Sequence, residues 1–292
     1  MTLGLLLYIA CFIVLQCLAG NLQPMALSAP VSWSVGIAFI ALLYVLSREK
    51  EQSPWLRSLR SPRMACALLA ALALWSIIGG CLPQTDQPSA DGFWGTLLMR
   101  LGFYRFPTSW PFVALLTALW GHLTLLLLHR LRHVHPWRDG AFLLTHGGVW
   151  LCLFGGLFGA PDTQEWHVQV SRAEATTTAF DSSGRPHTLP YALQLQDFTI
   201  ERPSPGQAPT QYVATVLLDG EPVRLSINAP YAVRWSEDLY LLNYDRRSSA
   251  ADVRFCILQV VRQPWKYILL GGILLLLVGA GWNLRNLKPR SV

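Results

Sequence analysis

Six long apolar stretches divide this sequence, and they restrict the folds that it can adopt. They are residues 3–20, 31–47, 64–82, 108–128, 141–160 and 265–283. A helix that crosses a bilayer needs about 20 mostly apolar residues, and each stretch meets or approaches that length. Only 14% of the residues are charged, against about 25% in soluble domains. The sequence therefore predicts an α-helical membrane protein with about six transmembrane helices, and it excludes a single soluble domain.

The distribution of basic residues predicts the orientation of these helices. Three short segments follow the second, fourth and sixth stretches, and their basic residues are Arg48, Lys50, Arg57, Arg60 and Arg63, then Arg130, Arg132 and Arg138, then Arg285, Lys288 and Arg290. Basic residues in short loops favour the cytoplasmic side of a membrane. We therefore expect both termini in the cytoplasm and residues 161–264 outside it. This pattern also accounts for the net charge of +6, so no nucleic-acid partner is expected.

The polar block 161–264 predicts a β domain inserted between the last two helices. Apolar and polar residues alternate in several of its segments, which turn-forming residues separate: 191–198, 212–218 and 253–261. Alternation with a period of two is typical of half-buried strands. Asp219 and Gly220 form a dipeptide that favours a two-residue hairpin turn. The block is thus predicted to be an extracytoplasmic antiparallel β domain, either a sandwich or an open barrel.

The sequence lacks the short motifs of self-contained enzymes. It contains no Cys-x-x-Cys, no P-loop, no Gly-x-Ser-x-Gly and no His-Glu-x-x-His, which are patterns of redox, phosphate-binding, hydrolase and zinc-dependent chemistry. We therefore expect no self-contained hydrolase or redox enzyme, and no catalytic residue is assigned. Cys81 and Cys256 are the cysteines that an oxidising compartment could reach. Ordinary burial and a redox role with a thiol partner are the alternatives for them.

Two histidines, His122 and His146, lie inside apolar stretches. An ionisable side chain in hydrocarbon is costly and indicates function, and a neutral imidazole is a good axial ligand for haem iron. Each histidine lies seven residues from the connecting segment 129–139, so we expect both imidazoles at the same depth, about 10 Å inside the boundary. Trp150 lies one turn beyond His146 and could flank a porphyrin. Alternatively, each histidine only bonds a backbone carbonyl or a nearby threonine.

Small residues on two of the stretches predict close helix packing. Gly148, Cys152 and Gly156 form a stripe on a different face of their helix from His146. The last stretch contains two glycine clusters, Gly271-Gly272 and Gly279-Ala280-Gly281. Small side chains let helix backbones approach each other in a membrane. The contact could lie within this chain or with a partner subunit.

From residue 58 onward, the order of motifs resembles the ResB-like family. The segments that carry this resemblance are Ser58-Leu-Arg-Ser-Pro-Arg-Met-Ala, Gly79-Gly-Cys-Leu-Pro-Gln, Gly102-Phe-Tyr with Thr108-Ser-Trp-Pro-Phe-Val-Ala-Leu-Leu, Phe142-Leu-Leu-Thr-His-Gly-Gly with Gly155-Gly-Leu-Phe-Gly-Ala, Leu189-Pro-Tyr-Ala-Leu-Gln-Leu-Gln-Asp-Phe, Leu225-Ser-Ile-Asn-Ala-Pro-Tyr, Leu239-Tyr-Leu-Leu-Asn-Tyr-Asp and Arg262-Gln-Pro-Trp-Lys-Tyr. Four helices and a β domain follow one another in the family's order. The first two stretches are additional to that four-helix plan.

The resemblance implies a membrane subunit of system II cytochrome c biogenesis in the bacterial cytoplasmic (inner) membrane. Such a subunit binds and transports haem b and supports its attachment to apocytochrome c, as a non-catalytic part of a haem-lyase complex. The implied partners are a CcsA-type membrane subunit, apocytochrome c and a thioredoxin-like thiol reductant, in a lipid bilayer. A competing hypothesis is an assembly or scaffold subunit without its own haem site. A small-solute permease is disfavoured because no inverted repeat is evident.

The resemblance also bears on the two histidines. A histidine at the inner end of the family's third helix ligates haem together with a histidine of the partner, and His146 occupies the matching position. His146 is therefore the tentative axial ligand, with Trp150 beside it. His122 matches no family position, and its assignment to the haem site depends only on depth and spacing.

Together these observations predict four segments. Residues 1–57 hold two additional transmembrane helices and a cytoplasmic link, and 58–160 hold three transmembrane helices of the ResB-like core. The extracytoplasmic β domain spans 161–264. Residues 265–292 form the last transmembrane helix and a cytoplasmic tail.

Overall fold

A computed structural model describes residues 2–23, 28–49, 53–85, 92–132, 134–201, 211–245 and 253–285. The contacts between residues separate the chain into two compact units. The helical unit comprises Met1–Asp162 and Tyr267–Val292, and the β unit comprises Thr163–Lys266. Three basic residues used to predict the orientation, Lys50, Lys288 and Arg290, lie outside the described residues.

The described helices are α1 (Thr2–Ala19), α2 (Val31–Glu49), α3 (Pro54–Leu59), α4 (Pro62–Gly80), α5 (Gly92–Arg100), α6 (Trp110–Leu131), α7 (Pro136–Gly159) and α8 (Lys266–Arg285), with short 3₁₀ helices at Phe103–Thr108 and Ala160–Asp162. Within the described residues, five helical segments are long and apolar enough to span a membrane: Val31–Arg48, Pro62–Gly80, Trp110–Leu131, Asp139–Asp162 and Lys266–Arg285. The chain is therefore a multi-pass membrane protein.

The first of the six predicted stretches is not among these five segments. Leu3–Ala19 is apolar but shorter than the others. Gly20 adopts the left-handed conformation (φ 70°), and its N–H donates to the carbonyl of Gln16 at 2.9 Å. Glycine in this conformation is a common helix terminator because it has no Cβ to clash with the backbone. The helix therefore ends at Ala19, where the apolar sequence also ends.

A serine just before the helix and a proline in its first turn mark the starts of α3, α4 and α6. Pro54, Pro62 and Pro111 lie in the first turns of these helices, where the missing N–H of proline leaves no intrahelical bond unmade. At α4, the Ser61 hydroxyl also accepts a hydrogen bond from the N–H of Met64 at 3.3 Å. The same residues thereby stop one helix and begin the next across short connections.

The β unit is one antiparallel sheet of eight strands. The strands are β1 (Gln164–Ser171), β2 (Thr176–Phe180), β3 (Pro186–Glu201), β4 (Gln211–Leu218), β5 (Glu221–Ser226), β6 (Tyr231–Arg234), β7 (Glu237–Tyr244) and β8 (Phe255–Arg262). Their order in the sheet is β5-β4-β3-β2-β1-β8-β7-β6, and neighbouring strands run antiparallel. The predicted antiparallel β domain is confirmed.

The predicted hairpin at Asp219-Gly220 is also confirmed. Leu218 pairs with Glu221 across a two-residue turn between β4 and β5. Asp219 and Gly220 both have positive φ, 49° and 92°. Two consecutive positive φ angles define the turn whose twist matches that of antiparallel strands, and Asp-Gly tolerates them with little strain.

The sheet curls around one core rather than forming the two sheets of a sandwich. The buried side chains of all but one of its strands form one continuous apolar cluster, which includes Val168, Leu193, Leu225, Leu241 and Leu258. Residues of β5 also contact residues of β7, although no backbone pairing joins these strands in the described residues. The sheet order therefore corresponds to the open-barrel alternative of the sequence analysis.

Candidate functional site

A large cavity of the helical unit lies beside His122. It has a volume of about 790 Å³, and residues of α1, α2, α3, α4 and α6 line it. Cavities of this size hold cofactors and other small molecules. The lining is mainly aliphatic and aromatic and includes no Asp, Glu, Lys or Arg among the described residues. The site thus favours a large, mostly apolar ligand.

His122 is buried, with 6% of its surface exposed. Its Nδ1 lies 2.6 Å from the carbonyl oxygen of Leu59, which precedes α4. A carbonyl oxygen can only accept a hydrogen bond, so Nδ1 carries the proton and the ring is oriented by a residue 63 positions away. The other ring nitrogen, Nε2, makes no hydrogen bond to the described residues. A neutral His122 therefore keeps a free lone pair on Nε2.

His146 makes a similar hydrogen bond through Nδ1 but lies in a different environment. It is partly buried on α7, and its Nδ1 lies 3.0 Å from the carbonyl oxygen of Phe142, one turn earlier in the same helix. The two rings stack with their centroids 3.9 Å apart, and the Arg130 guanidinium lies 5.1 Å from the centroid of Phe142. His146 does not line the cavity beside His122. Its Nε2 has no hydrogen bond to the described residues.

Two contacts between α6 and α7 flank the two histidines. The Arg130 guanidinium lies 5.1 Å from the centroid of the Phe142 ring, and the Trp150 indole N–H donates to the Thr124 hydroxyl at 2.7 Å. His122 and His146 thus lie on two helices that pack against each other, and their equal depth in the membrane stays a prediction.

Trp150 belongs to the interface between α6 and α7. Its indole N–H donates to the Thr124 hydroxyl at 2.7 Å, and its ring stacks on Phe154 with centroids 5.3 Å apart. Trp120 of α6, which is fully buried, packs against Trp150 and Phe154 and also stacks on Phe39 of α2. Trp150 thus helps to hold three helices together, and its ring is already engaged in packing.

The opposite face of α7 contacts α8 through glycines. A Cβ placed on Gly148 would lie 2.6 Å from the carbonyl oxygen of Gly272, and one placed on Gly279 would lie 2.7 Å from the backbone nitrogen of Thr145. Cys152 is part of the same contact, since its Sγ would lie 2.8 Å from a Cβ on Gly272. The predicted close packing is therefore a contact within this chain. Gly156, predicted in the same stripe, has no such neighbour.

The cavity was not predicted from the sequence. It depends on Tyr8, Phe39 and Leu59, which come from three helices that carry no recognisable site motif. The sequence carries only a weak signal for this cavity: two polar residues, Tyr8 and Ser58, lie in or beside apolar segments. Within the described residues, no group of three or more His, Cys, Asp or Glu side chains could hold a metal ion, so an iron at either histidine would need other ligands.

The two cysteines with a predicted redox alternative lie in different units. Cys81 is exposed just after α4, whereas Cys256 is fully buried in β8. Burial raises the pKa of the Cys256 thiol to about 12. A buried thiol with such a pKa is almost fully protonated at neutral pH and is a poor nucleophile. Both cysteines are free thiols.

Comparison with known proteins gives one family match. The model of the ResB-like family matches residues 135–258, a range that contains His146 and most of the β unit. No curated protein matches the sequence.

Three solved chains match this protein. One is titled "Cytochrome c Heme Lyase CcmF", and it is 15% identical with a TM-score of 0.39. The match covers 76% of this chain but only 34% of that one, so this protein spans about a third of the length of that relative. The family model matched over residues 135–258 is that of the family that the motifs around His146 and in the β unit indicated.

Proposed function

We propose that this protein is a membrane subunit of a system II cytochrome c biogenesis complex. In this role it binds haem b in the membrane, passes it toward the extracytoplasmic side and supports its attachment to apocytochrome c with a CcsA-type partner. The ResB-like match supports a role in cytochrome c biogenesis. The observation that carries the haem assignment is His146, which lies inside the matched residues and keeps Nε2 without a hydrogen bond to the described residues.

The surroundings of His146 fit haem ligation. Histidines that bind metals generally donate their other ring N–H to a carbonyl or carboxylate, which fixes the tautomer. The bond from Nδ1 to the Phe142 carbonyl and the stack on Phe142 would hold the ring in this way. Haem iron can bind a second protein ligand, and we assign that ligand to the CcsA-type partner.

The direct test is the haem content of the purified complex. We expect wild-type protein co-expressed with a CcsA-type partner to show a haem absorption spectrum and a pyridine haemochrome. The variant His146→Ala should lose most of this haem, because one axial ligand is removed. The matched control is His129→Ala, which removes a histidine near the end of α6 and should leave the haem content unchanged. Equal haem content in wild type and His146→Ala would contradict the assignment.

A scaffold subunit without a haem site is the second candidate function. The hydrogen bonds of His122 to Leu59 and of His146 to Phe142 would also be made by histidines that only join or brace helices. In that case neither histidine changes the haem content, whereas His122→Ala should lower the stability of the helical unit through the lost bond to Leu59. Haem spectra and thermal unfolding of the same variants separate the two functions.

The proposed topology has both termini in the cytoplasm and the β unit outside the inner membrane. Glu174 is exposed between β1 and β2, and Arg63 is exposed at the start of α4. In a cysteine-free background, we expect Glu174→Cys to react with a membrane-impermeant maleimide in spheroplasts. Arg63→Cys should react only after the membrane is permeabilised. The reverse pattern would contradict the proposed orientation.

The β unit is the part of the chain that we assign to docking of the partner, the apocytochrome or a thioredoxin-like thiol reductant. With the thiol of Cys256 buried and its pKa raised, the unit itself contributes no reactive thiolate from this residue. Any reduction of the apocytochrome cysteines is therefore assigned to the partner proteins.

A further inference from the structure

The cavity beside His122 is built largely by the first 60 residues of the chain, outside the segment that matches the ResB-like family. Gly4, Leu5 and Tyr8 of α1 form one part of its wall, and Phe39 and Leu43 of α2 form another. The remaining wall comes from α3 with the residues around it, from α4 and from α6. The cavity is thus a feature that the additional N-terminal helices create.

The polar groups of the cavity wall are few, and two of its three hydroxyl groups are already bonded. The Tyr8 hydroxyl donates to the carbonyl of Ala114 at 3.0 Å, and the Thr117 hydroxyl donates to the carbonyl of Val113 at 2.8 Å. The Ser58 hydroxyl and Nε2 of His122 make no hydrogen bond to the described residues. A ligand in this cavity therefore meets the lone pair of Nε2 and the Ser58 hydroxyl in a mostly apolar surrounding.

The polar groups of the cavity wall favour some classes of ligand over others. A lipid chain fills an apolar cavity but makes no use of an oriented imidazole. A quinone carbonyl could accept a hydrogen bond from the Ser58 hydroxyl, but it would leave the lone pair of Nε2 without a proton or a metal to bind. A metalloporphyrin, in contrast, has an apolar body and a metal that accepts a lone pair directly. The bond from Nδ1 to the Leu59 carbonyl, 2.6 Å long, is the support that ligating histidines generally have.

We propose that this cavity is a second haem site in the membrane, separate from His146, with Nε2 of His122 as an axial ligand and α1 to α3 as part of its wall. The inference rests on the proposed function, since it assumes that the protein handles haem. In this proposal the additional N-terminal helices have a role, because they enclose a haem molecule. That molecule is held in the cavity either before it reaches the site at His146 or after it leaves that site.

The test uses the full chain, purified in detergent without a partner and titrated with haemin. We expect His146→Ala to retain a haem spectrum, whereas His122→Gly should lose it. Added imidazole should restore the Soret band of His122→Gly, because it can enter the space that the side chain has left and supply the missing ligand. His129→Ala is the matched control on the same helix and should bind haemin as the wild type does.

A second variant tests the cavity while keeping the histidine. Ala118 lines the cavity, so Ala118→Phe should fill part of it and weaken haemin binding. Leu116→Phe, on the same helix but outside the cavity lining, should not. If Ala118→Phe raises the thermal stability and leaves haemin binding intact, the cavity holds lipid and the inference is overturned.

The outcomes also separate this inference from the proposed function. If His146→Ala abolishes the haem of the complex while His122→Gly binds haemin normally without imidazole, the cavity site is wrong and the proposed function stands. If His122→Gly loses haemin and His146→Ala has no effect even with a CcsA-type partner, the ligand assignment in the proposed function is wrong. If neither substitution changes haem binding, both are wrong.

Discussion

The β unit and the helical unit are stabilised in different ways. In the β unit, side chains of all strands but one are buried in one continuous core, and Leu193, Leu225 and Leu258 are completely buried there. In the helical unit, large apolar side chains are exposed on the surface of the protein: Leu6 is 63% exposed and Leu277 is 60% exposed. Lipid tails are as apolar as leucine, so burying such residues gives little stability in a membrane. Apolar burial therefore holds the β unit together, whereas close fit between helices holds the helical unit.

This difference has a consequence for where a ligand can bind. At the α7–α8 contact the glycines leave no room for even one additional carbon atom. On the other side of the helical unit, between α6 and the helices α1 to α4, a cavity of about 790 Å³ remains. Both histidines lie away from the glycine contact. A rigid α7–α8 pair beside a more open group of helices is an arrangement suited to holding a large ligand in a fixed frame.

The largest expected effect is in the β core. Leu258 is 0% exposed in β8, and Leu258→Ala should lower the free energy of unfolding by about 2–5 kcal/mol, because it removes buried apolar surface and leaves a cavity. Leu242→Ala, at a position 50% exposed in β7, is the matched control and should cost far less. Urea unfolding of the full chain, followed by hydrogen exchange of β-unit peptides, measures both. Equal losses would mean that burial does not dominate this unit.

A smaller effect is expected at the glycine contact of the helical unit. In Gly148→Ala the new methyl group would meet the backbone of α8 at Gly272 and Leu276, so the helices must separate at a cost of about 1–3 kcal/mol. Gly147→Ala, one residue away, meets no atom within 4 Å. It should be neutral or stabilise α7, since alanine favours a helix interior by up to about 1 kcal/mol over glycine.

Thermal unfolding in detergent distinguishes these two variants by the sign of the change. A loss of stability in both would indicate that helix flexibility, rather than the contact with α8, explains the glycines. Loss in Gly148→Ala alone would sharpen the contrast with the β unit, which the burial of large apolar side chains holds together.

How far the sequence predicts each unit follows from the same contrast. The β unit was predictable because strand alternation and the Asp219-Gly220 turn are local signals, and each one determines register directly. The small-residue stripe also predicted a real contact, with Gly148 and Cys152 against Gly272. Gly156 was assigned to the stripe as well, yet it is exposed and Gly155 makes the contact instead, because the helical period is not four residues.

The cavity and the bond that orients His122 could not be predicted in this way. Equal depths for His122 and His146 stay a prediction, because spacing from a connecting segment determines depth only if α6 and α7 end at the same level. The bond between His122 and Leu59 joins positions 63 residues apart. Such long-range relations leave no periodic trace in the sequence, so only the packed helices reveal them.

The smallest expected effect concerns the pH dependence of the β unit. Asp181 lies in the turn between β2 and β3, where its carboxylate accepts hydrogen bonds from the Ser183 hydroxyl at 2.7 Å and from the Ser183 and Arg185 backbone N–H groups, each at 2.9 Å. These bonds, the Ser183 hydroxyl first, lower the pKa of Asp181 well below its usual value. A lowered pKa in the folded state means that the charged form stabilises the fold. The stabilisation is therefore complete above the unfolded pKa of about 3.9 and is lost as the pH falls from there toward the folded pKa.

We expect the stability difference between wild type and Asp181→Asn to be constant near neutral pH and to shrink in acid, with Ser183→Ala giving a smaller difference of the same form. Hydrogen exchange of β2–β3 peptides in the full chain measures it, and a difference that grows in acid would contradict the assignment. Because the turn is exposed, the effect should remain well below that of Leu258→Ala, as expected for a unit held together by its core.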